Sequence, residues 1–159
     1  MHKEPKYYNV DQAKLMLERF CIYQERSPFE VEQKLLKLGL IREAMDQILM
    51  HLHQENFLNE TRFAEAYVRG KFNQKKWGRN KISQGLFQHR VSSYNSKAAL
   101  AQINEEAYLN TAITLAEKKL TVLSSENEFE KKQKIVRYLV QRGFEQNIAF
   151  EIINNLFSS

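Results

Sequence analysis

The chain has 159 residues, 43% of them apolar, and a formal net charge of +5. That length holds one domain or a few small modules and can bury a core. Five Gly and two Pro are too few for an all-β fold, a lone Cys21 excludes an intrachain disulfide and fits a reducing cytosol, and no stretch approaches the ~20 apolar residues of a membrane span. His2-Lys3-Glu4-Pro5-Lys6 leads into an amphipathic pattern and not into the apolar run of a signal peptide, so a cytoplasmic protein is expected.

Apolar residues recur at helical spacing nearly throughout. The first helix is predicted to start at Asp11 as N-cap and to carry Ala13, Leu15, Leu17, Phe20 and Cys21. Ser27-Pro28-Phe29-Glu30 reads as a capping box, with Ser at N-cap, Pro at N1 and Glu at N3. The helix it opens carries Val31, Leu35 and Leu38, and Gly39 suits the left-handed residue after it. A third helix runs from Ile41 through Leu52. Asn59 caps the next start, with Phe63, Ala66 and Tyr67 following. A turn at Trp77-Gly78 leads into a short helix with Ile82 and Leu86, 92–96 reads as a polar loop, and Ala99, Leu100, Ile103 and Ala107 form another helix. A further helix starts near Asn110, 124–127 reads as a loop, and helices with Ile135, Leu139 and then Ile152, Leu156 complete the chain.

The pattern repeats. Val31-x3-Leu35-x3-Gly39 aligns with Ile82-x3-Leu86-x3-Arg90 and with Ile135-x3-Leu139-x3-Gly143, at spacings of 51 and 53 residues. Phe57-Leu58 and Tyr108-Leu109 also recur 51 residues apart, each followed by Asn, as if two junctions were built alike. The expected fold is all-α, an elongated array of three tandem three-helix repeats with helix-turn-helix outlines. The expected units are 1–58, 59–109 and 110–159.

The charge is local. Ala66 to Asn104 contains no Asp or Glu but carries Arg69, Lys71, Lys75, Lys76, Arg79, Lys81, Arg90 and Lys97, while the rest of the chain has 16 Lys and Arg against 19 Asp and Glu. A one-signed field of this kind suits a polyanion, with phosphate first and an acidic protein surface second. The bland alternative is a helix face whose acidic partners lie elsewhere in the fold. Phe72, Trp77, Phe87 and Tyr94 interleave with the charges and could stack on unpaired bases. Trp77 has two readings, a plug between helices and an exposed stacking group among cations.

Catalytic chemistry finds no support. His51 and His53 point about 200° apart on a helix, and there is no phosphate-cradling Gly-rich loop, no nucleophile with a recognisable base and no second Cys for zinc. Cys21 falls on an apolar helix face and reads as core. No cofactor or metal is implied.

Phe57-Leu58-Asn59-Glu60-Thr61-Arg62-Phe63-Ala64, then Tyr67-Val68-Arg69-x-Lys71, Trp77-Gly78-x-x-Lys81-Ile82 and Leu86 resemble the RecX family of bacterial regulators of the recombinase RecA. The likeness is dense over 55–91 and thinner on both sides. It implies an all-helical repeat protein, not an enzyme, that binds the RecA–DNA filament and limits recombinase activity. Arg69, Lys71, Trp77 and Lys81 of this motif, with Lys75, Lys76, Arg79 and Arg90 of the same acid-free segment, are the expected filament or nucleic-acid contacts, on single- or double-stranded DNA through phosphate. A monomer without membrane contact is expected. Two departures stand out. Arg90 takes a position where the family has Gly, and Gly85 sits inside a short helix, where it costs ~1 kcal/mol relative to Ala. Two other functions fit the residues: a helix-turn-helix DNA-binding protein or transcription factor acting through the central unit, and an all-α adaptor whose basic patch meets only acidic protein. Spread of the cations over a helix, a turn and a second helix suits backbone contact better than base readout.

Overall fold

The computed structural model describes residues 8–124 and 127–158. Among them are nine helices and no strand: α1 Val10–Tyr23, α2 Pro28–Lys37, α3 Arg42–Gln54, α4 Glu60–Asn73, α5 Arg79–Gln88, α6 Ser93–Leu100, α7 Glu105–Val122, α8 Glu128–Gln141 and α9 Gln146–Leu156. The main helix contacts join α1, α2 and α3, then α4, α5 and α6, then α7, α8 and α9. The fold is a tandem array of three-helix repeats.

Short polar side chains set the helix starts. Ser27 and Glu30 close the capping box with Pro28 in the first turn, and Asn59 accepts from the Arg62 N–H. The first helix is capped two residues earlier than expected, because Asn9 and Gln12 form a second capping box and Asp11 falls in the first turn. The other differences lie between α6 and α7. Residues 92–96, read as a loop, hold the Ser92 cap and first turn of α6. The next break is at 101–104 and not just before Asn110: Asn104 caps α7, whose first turn carries Glu105 and Glu106. Tyr108-Leu109 therefore lies inside a helix while Phe57-Leu58 lies in a loop, and the two junctions are not built alike.

Each short second helix, or its counterpart, ends on a left-handed residue. Gly39 has φ 71°, Gly143 has φ 100° and Arg90 has φ 60°. Arg90 and Gly143 make the same closing bonds, Arg90 N–H to Phe87 O with Val91 N–H to Leu86 O, and Gly143 N–H to Val140 O with Phe144 N–H to Leu139 O. A non-Gly residue there costs roughly 1 kcal/mol. Arg90 offsets part of this by lying 4.6 Å from the Phe29 ring centroid in the first repeat. Gly85 has a packing reason: a Cβ would sit 1.9 Å from the Tyr67 hydroxyl.

The cores divide unequally. The first repeat closes on its own residues, Leu17, Val31, Leu35, Ile48 and Leu52 among them. The second and third share one continuous core that runs from Phe63 and Ile82 to Tyr108, Ile135, Phe144 and Ile152. The joint between the first repeat and this pair is polar. Arg62 bonds Glu25 at 2.5 Å and the carbonyls of Asn56 and Phe57 at 3.0 and 3.2 Å. His89 Nδ1 lies 3.0 Å from the hydroxyl of the fully buried Ser27.

Cys21 is buried, and burial pushes its thiol from 9.0 up to about 11, with Arg26 acting the other way. A raised pKa favours the folded state below pH 9, and this contribution is lost as pH rises from 9 to 11. At pH 8 the folded chain should hold roughly a hundredfold less thiolate than the unfolded chain. A disulfide reagent should accordingly label native protein slowly and denatured protein fast. Equal rates would show that Cys21 is not in this core.

Candidate nucleic-acid interface

The acid-free segment takes in α4 from Ala66 onward, the turn after it, α5 and α6. Its turn is fixed by the third repeat. Lys76 is left-handed at φ 58°, and Trp77 N–H bonds back to Lys71 O at 3.0 Å. Gly78 N–H donates to Arg142 O at 2.8 Å and Asn80 N–H to Gly143 O at 2.9 Å. The Arg142 guanidinium bonds the carbonyls of Lys75 and Lys76. Backbone approach is so close that a Cβ on Gly78 would lie 2.3 Å from Gly143 C. The exposed side chains of Lys75 and Lys76 thus project from a braced turn.

Trp77 is half-buried against the shared core. Its ring also carries two cations, with Lys71 Nζ 4.8 Å and Lys81 Nζ 4.5 Å from the centroid. The indole both plugs the turn and holds two ammonium groups beside it. The exposed aromatics of the segment are others: Phe87 is 80% and Tyr94 82% exposed, while Phe72 is buried.

Arg79 does not face outward as a free cation. Its guanidinium pairs with Glu145 at 2.7 Å and with Glu105, and it lies 3.9 Å from the Tyr108 ring centroid. Its backbone N–H donates to the Tyr108 hydroxyl at 3.0 Å, and that hydroxyl donates to Glu145. Burial works against the Arg79 charge, but the bond and field of Glu145, with Tyr108 and Glu105, outweigh it and raise its pKa. Burial first, then the bond to Glu145, also raises the Tyr108 pKa. For Arg79 the acidic partners do lie elsewhere in the fold, on the third repeat. Arg90 is exposed and lies 3.9 Å from Glu32.

The other expected contacts stay unpaired. Among the described residues Arg69, Lys71, Lys75, Lys76 and Lys81 make no ion pair, and Arg69, Lys75 and Lys76 are exposed. They do not form one cluster. Lys71 and Lys75 line a cleft of about 430 Å³ between the first and second repeats, where Glu25, Glu30 and His89 form part of the wall. Arg69 lines another cleft, of about 220 Å³, beside Glu65. Lys76 opens onto a third, of about 230 Å³, completed by Asn110, Thr111, Thr114, Leu115 and Lys118 of α7. That last cleft has two Lys, two Thr and an Asn but no carboxylate, a donor set suited to phosphate oxygens. Lys118 was missed in the sequence because it lies outside the acid-free run. Its signal is the polar stripe Asn110, Thr114, Lys118 at i, i+4, i+8. Among the described residues no group of His, Cys, Asp and Glu could hold a metal, and no helix is long and apolar enough to cross a membrane.

Comparison with known proteins agrees with this architecture. Residues 59–100 match the family description "RecX, second three-helix domain" and residues 105–153 match "RecX, third three-helix domain". A regulatory protein RecX of Clostridium perfringens is 29% identical over 129 residues, covering 80% of this chain and 60% of that protein. One from Oceanobacillus iheyensis is 28% identical over 137 residues, covering 86% of this chain and 50% of that protein. The chain thus spans little more than half the length of these relatives. The crystal structure of RecX from Lactobacillus salivarius superposes with a TM-score of 0.84 at 26% identity, covering 92% of this chain and 96% of that one. With family descriptions matched over the second and third repeats and the same fold across nearly the whole chain, this protein belongs to the RecX family.

Proposed function

We propose that the chain binds the RecA–DNA filament and restrains the recombinase and ATPase activity of RecA, by contact and not by catalysis. Membership of a regulatory family supports the reading. The observation that carries it is the set of cations on and beside the braced Trp77-Gly78 turn, Lys75, Lys76, Lys81 and Lys118, which have no ion pair among the described residues. Phosphate fits them best, and the cleft between Lys76 and Lys118 continues the surface from the second repeat onto α7. Lys71 adjoins this surface through the Trp77 ring, Arg79 and Trp77 position it, and Arg69 and Arg90 are proposed as contacts outside it. We take the chain as a cytoplasmic monomer, with units 1–58, 59–104 and 105–159 divided at the breaks before α4 and α7.

The test measures ATP hydrolysis by RecA on single-stranded DNA as this protein is added, with co-sedimentation of the filament. A dose-dependent fall in hydrolysis with co-sedimentation is expected. A protein with no effect and no association at any concentration would overturn the proposal. Binding to single strands alone should weaken with salt at a log–log slope of about −3, if four phosphates are met, with little sequence preference. A tight preference for one duplex site would favour a helix-turn-helix transcription factor instead.

A further inference from the structure

The third repeat has a groove whose lining includes neither Arg142 nor Gly143, which brace the basic turn, and it plays no part in the reading above. On α8, Phe129, Val136 and Val140 share one stripe with Gln133 and Arg137; on α9, Phe150 and Ile153 share another. The two stripes line one open groove of about 540 Å³. Three of its apolar residues are uncovered, Phe129 66%, Phe150 49% and Val140 44% exposed, while Val136 is half-buried and Ile153 belongs to the core at its floor. A surface helix normally turns such a stripe inward, and α8 already does so with Ile135 and Leu139. The groove stripe is a second apolar face on the same helix.

Geometry and charge narrow the occupant. From Phe129 to Val140 the stripe runs eleven residues, or ~16 Å of helix, about three turns. A furrow between two packed helices can accept a third helix by ridge-into-groove packing. The polar rim is basic. Lys132 and the exposed Arg137 line the groove, and no carboxylate does. Lys132 is paired with Glu128 at 3.3 Å, while Arg137 makes no ion pair among the described residues. We propose that this groove docks an acidic amphipathic helix of a partner protein, about three turns long, with an apolar stripe against Phe129, Val140 and Phe150 and carboxylates facing Arg137 and Lys132. Nucleic acid suits the groove less well, because the floor is apolar and one unpaired cation cannot follow a phosphate backbone.

The test uses the full chain and a fluorescein-labelled 14-residue peptide with Leu at i, i+3, i+7 and i+10 and Glu on both flanks. Its control has Lys in place of every Glu. Anisotropy titration should show the acidic peptide binding about tenfold or more tightly than the basic one. Phe129→Ala and Phe150→Ala should each weaken the acidic peptide by about tenfold. Arg137→Glu changes only an exposed position and should reverse the preference between the peptides, which a merely misfolded variant would not do. Lys75→Ala with Lys76→Ala should leave peptide binding unchanged, which separates this site from the filament surface. Equal binding of both peptides, or binding indifferent to Phe129 and Arg137, would overturn the proposal. So would Phe129-dependent self-association in sedimentation, which would make the groove an interface between copies of the chain. Displacement of the peptide from the groove by a single-stranded oligonucleotide, with that displacement lost in Phe129→Ala, would overturn it in favour of nucleic acid.

Discussion

Gly78→Ala should cost the protein about 3 kcal/mol or more, and Gly143→Ala at least as much. A Cβ on Gly78 would lie 2.3 Å from both Gly143 C and Phe144 N, which are backbone atoms and cannot swing aside. Relief requires parting the Trp77-Gly78 turn from α8 and losing the Gly78 N–H bond to Arg142 O. The same displacement would pull at Tyr108 and Phe144, both fully buried in the shared core. Overpacking of this kind commonly costs 1–3 kcal/mol, and loss of the attached bonds adds to it. At Gly143 the Cβ would meet Lys81 Cβ at 2.4 Å, and φ 100° adds backbone strain. Gly70→Ala is the control. It lies inside α4 with nothing within 4 Å of its would-be Cβ, so it should stabilise the chain by about 0.5–1 kcal/mol. Urea unfolding followed by circular dichroism reads all three. Parent-like stability for Gly78→Ala would mean that the second and third repeats are not joined at this turn.

That joint explains why the sequence was legible in some places and silent in others. Local chemistry could be read directly. Ser27-Pro28-x-Glu30, Asn59 and Gly39 each act within a few residues, and each takes its expected role. The period of the short helices survives the change from Gly to Arg90, because the closing bonds use backbone atoms and Arg can adopt the left-handed angle at modest cost. The break before α7 was misplaced because Ala107 continues the earlier apolar spacing. The Asn104 cap and the two carboxylates after it carried the correct signal. Arg79 was not separable from its neighbours in sequence. Its partners, Glu105 and Glu145, stand 26 and 66 residues away, and only folding shows that they converge on it. For Trp77 the sequence allows both a plug between helices and a stacking group. The indole packs on the shared core, as a plug between helices does, and its ring also holds Lys71 and Lys81.

Replacing Lys75, Lys76 and Lys81 together by Ala should reduce affinity for single-stranded DNA by about a hundredfold at 0.1 M salt, and flatten the log–log salt slope by about 2. The arithmetic assumes one phosphate for each Lys, at about 0.7 released counterions per contact. Folding should survive. Lys75 and Lys76 are exposed, and at Lys81 the new Ala keeps the Cβ that packs on Gly143. Lys76 already occupies a left-handed angle, and Ala bears the same strain there. Arg79 must stay out of this variant. Its removal would leave Glu145 and Glu105 without their cation and break the Arg79–Tyr108–Glu145 network, so a binding loss would report instability and not lost contact. Arg79→Ala makes the opposite prediction for that reason, with a lower unfolding midpoint and unfolding of the joint preceding any selective binding defect. Trp77→Ala should fall between the two, since it removes core packing and frees two cations that the ring now holds in place. Anisotropy of a labelled oligo-dT across a salt series measures the first effect, and filament co-sedimentation with RecA carries it to the proposed partner. If the triple variant is folded, binds single strands like its parent and still restrains RecA, the basic turn is not the contact, and the filament must be met through some other face of the repeats.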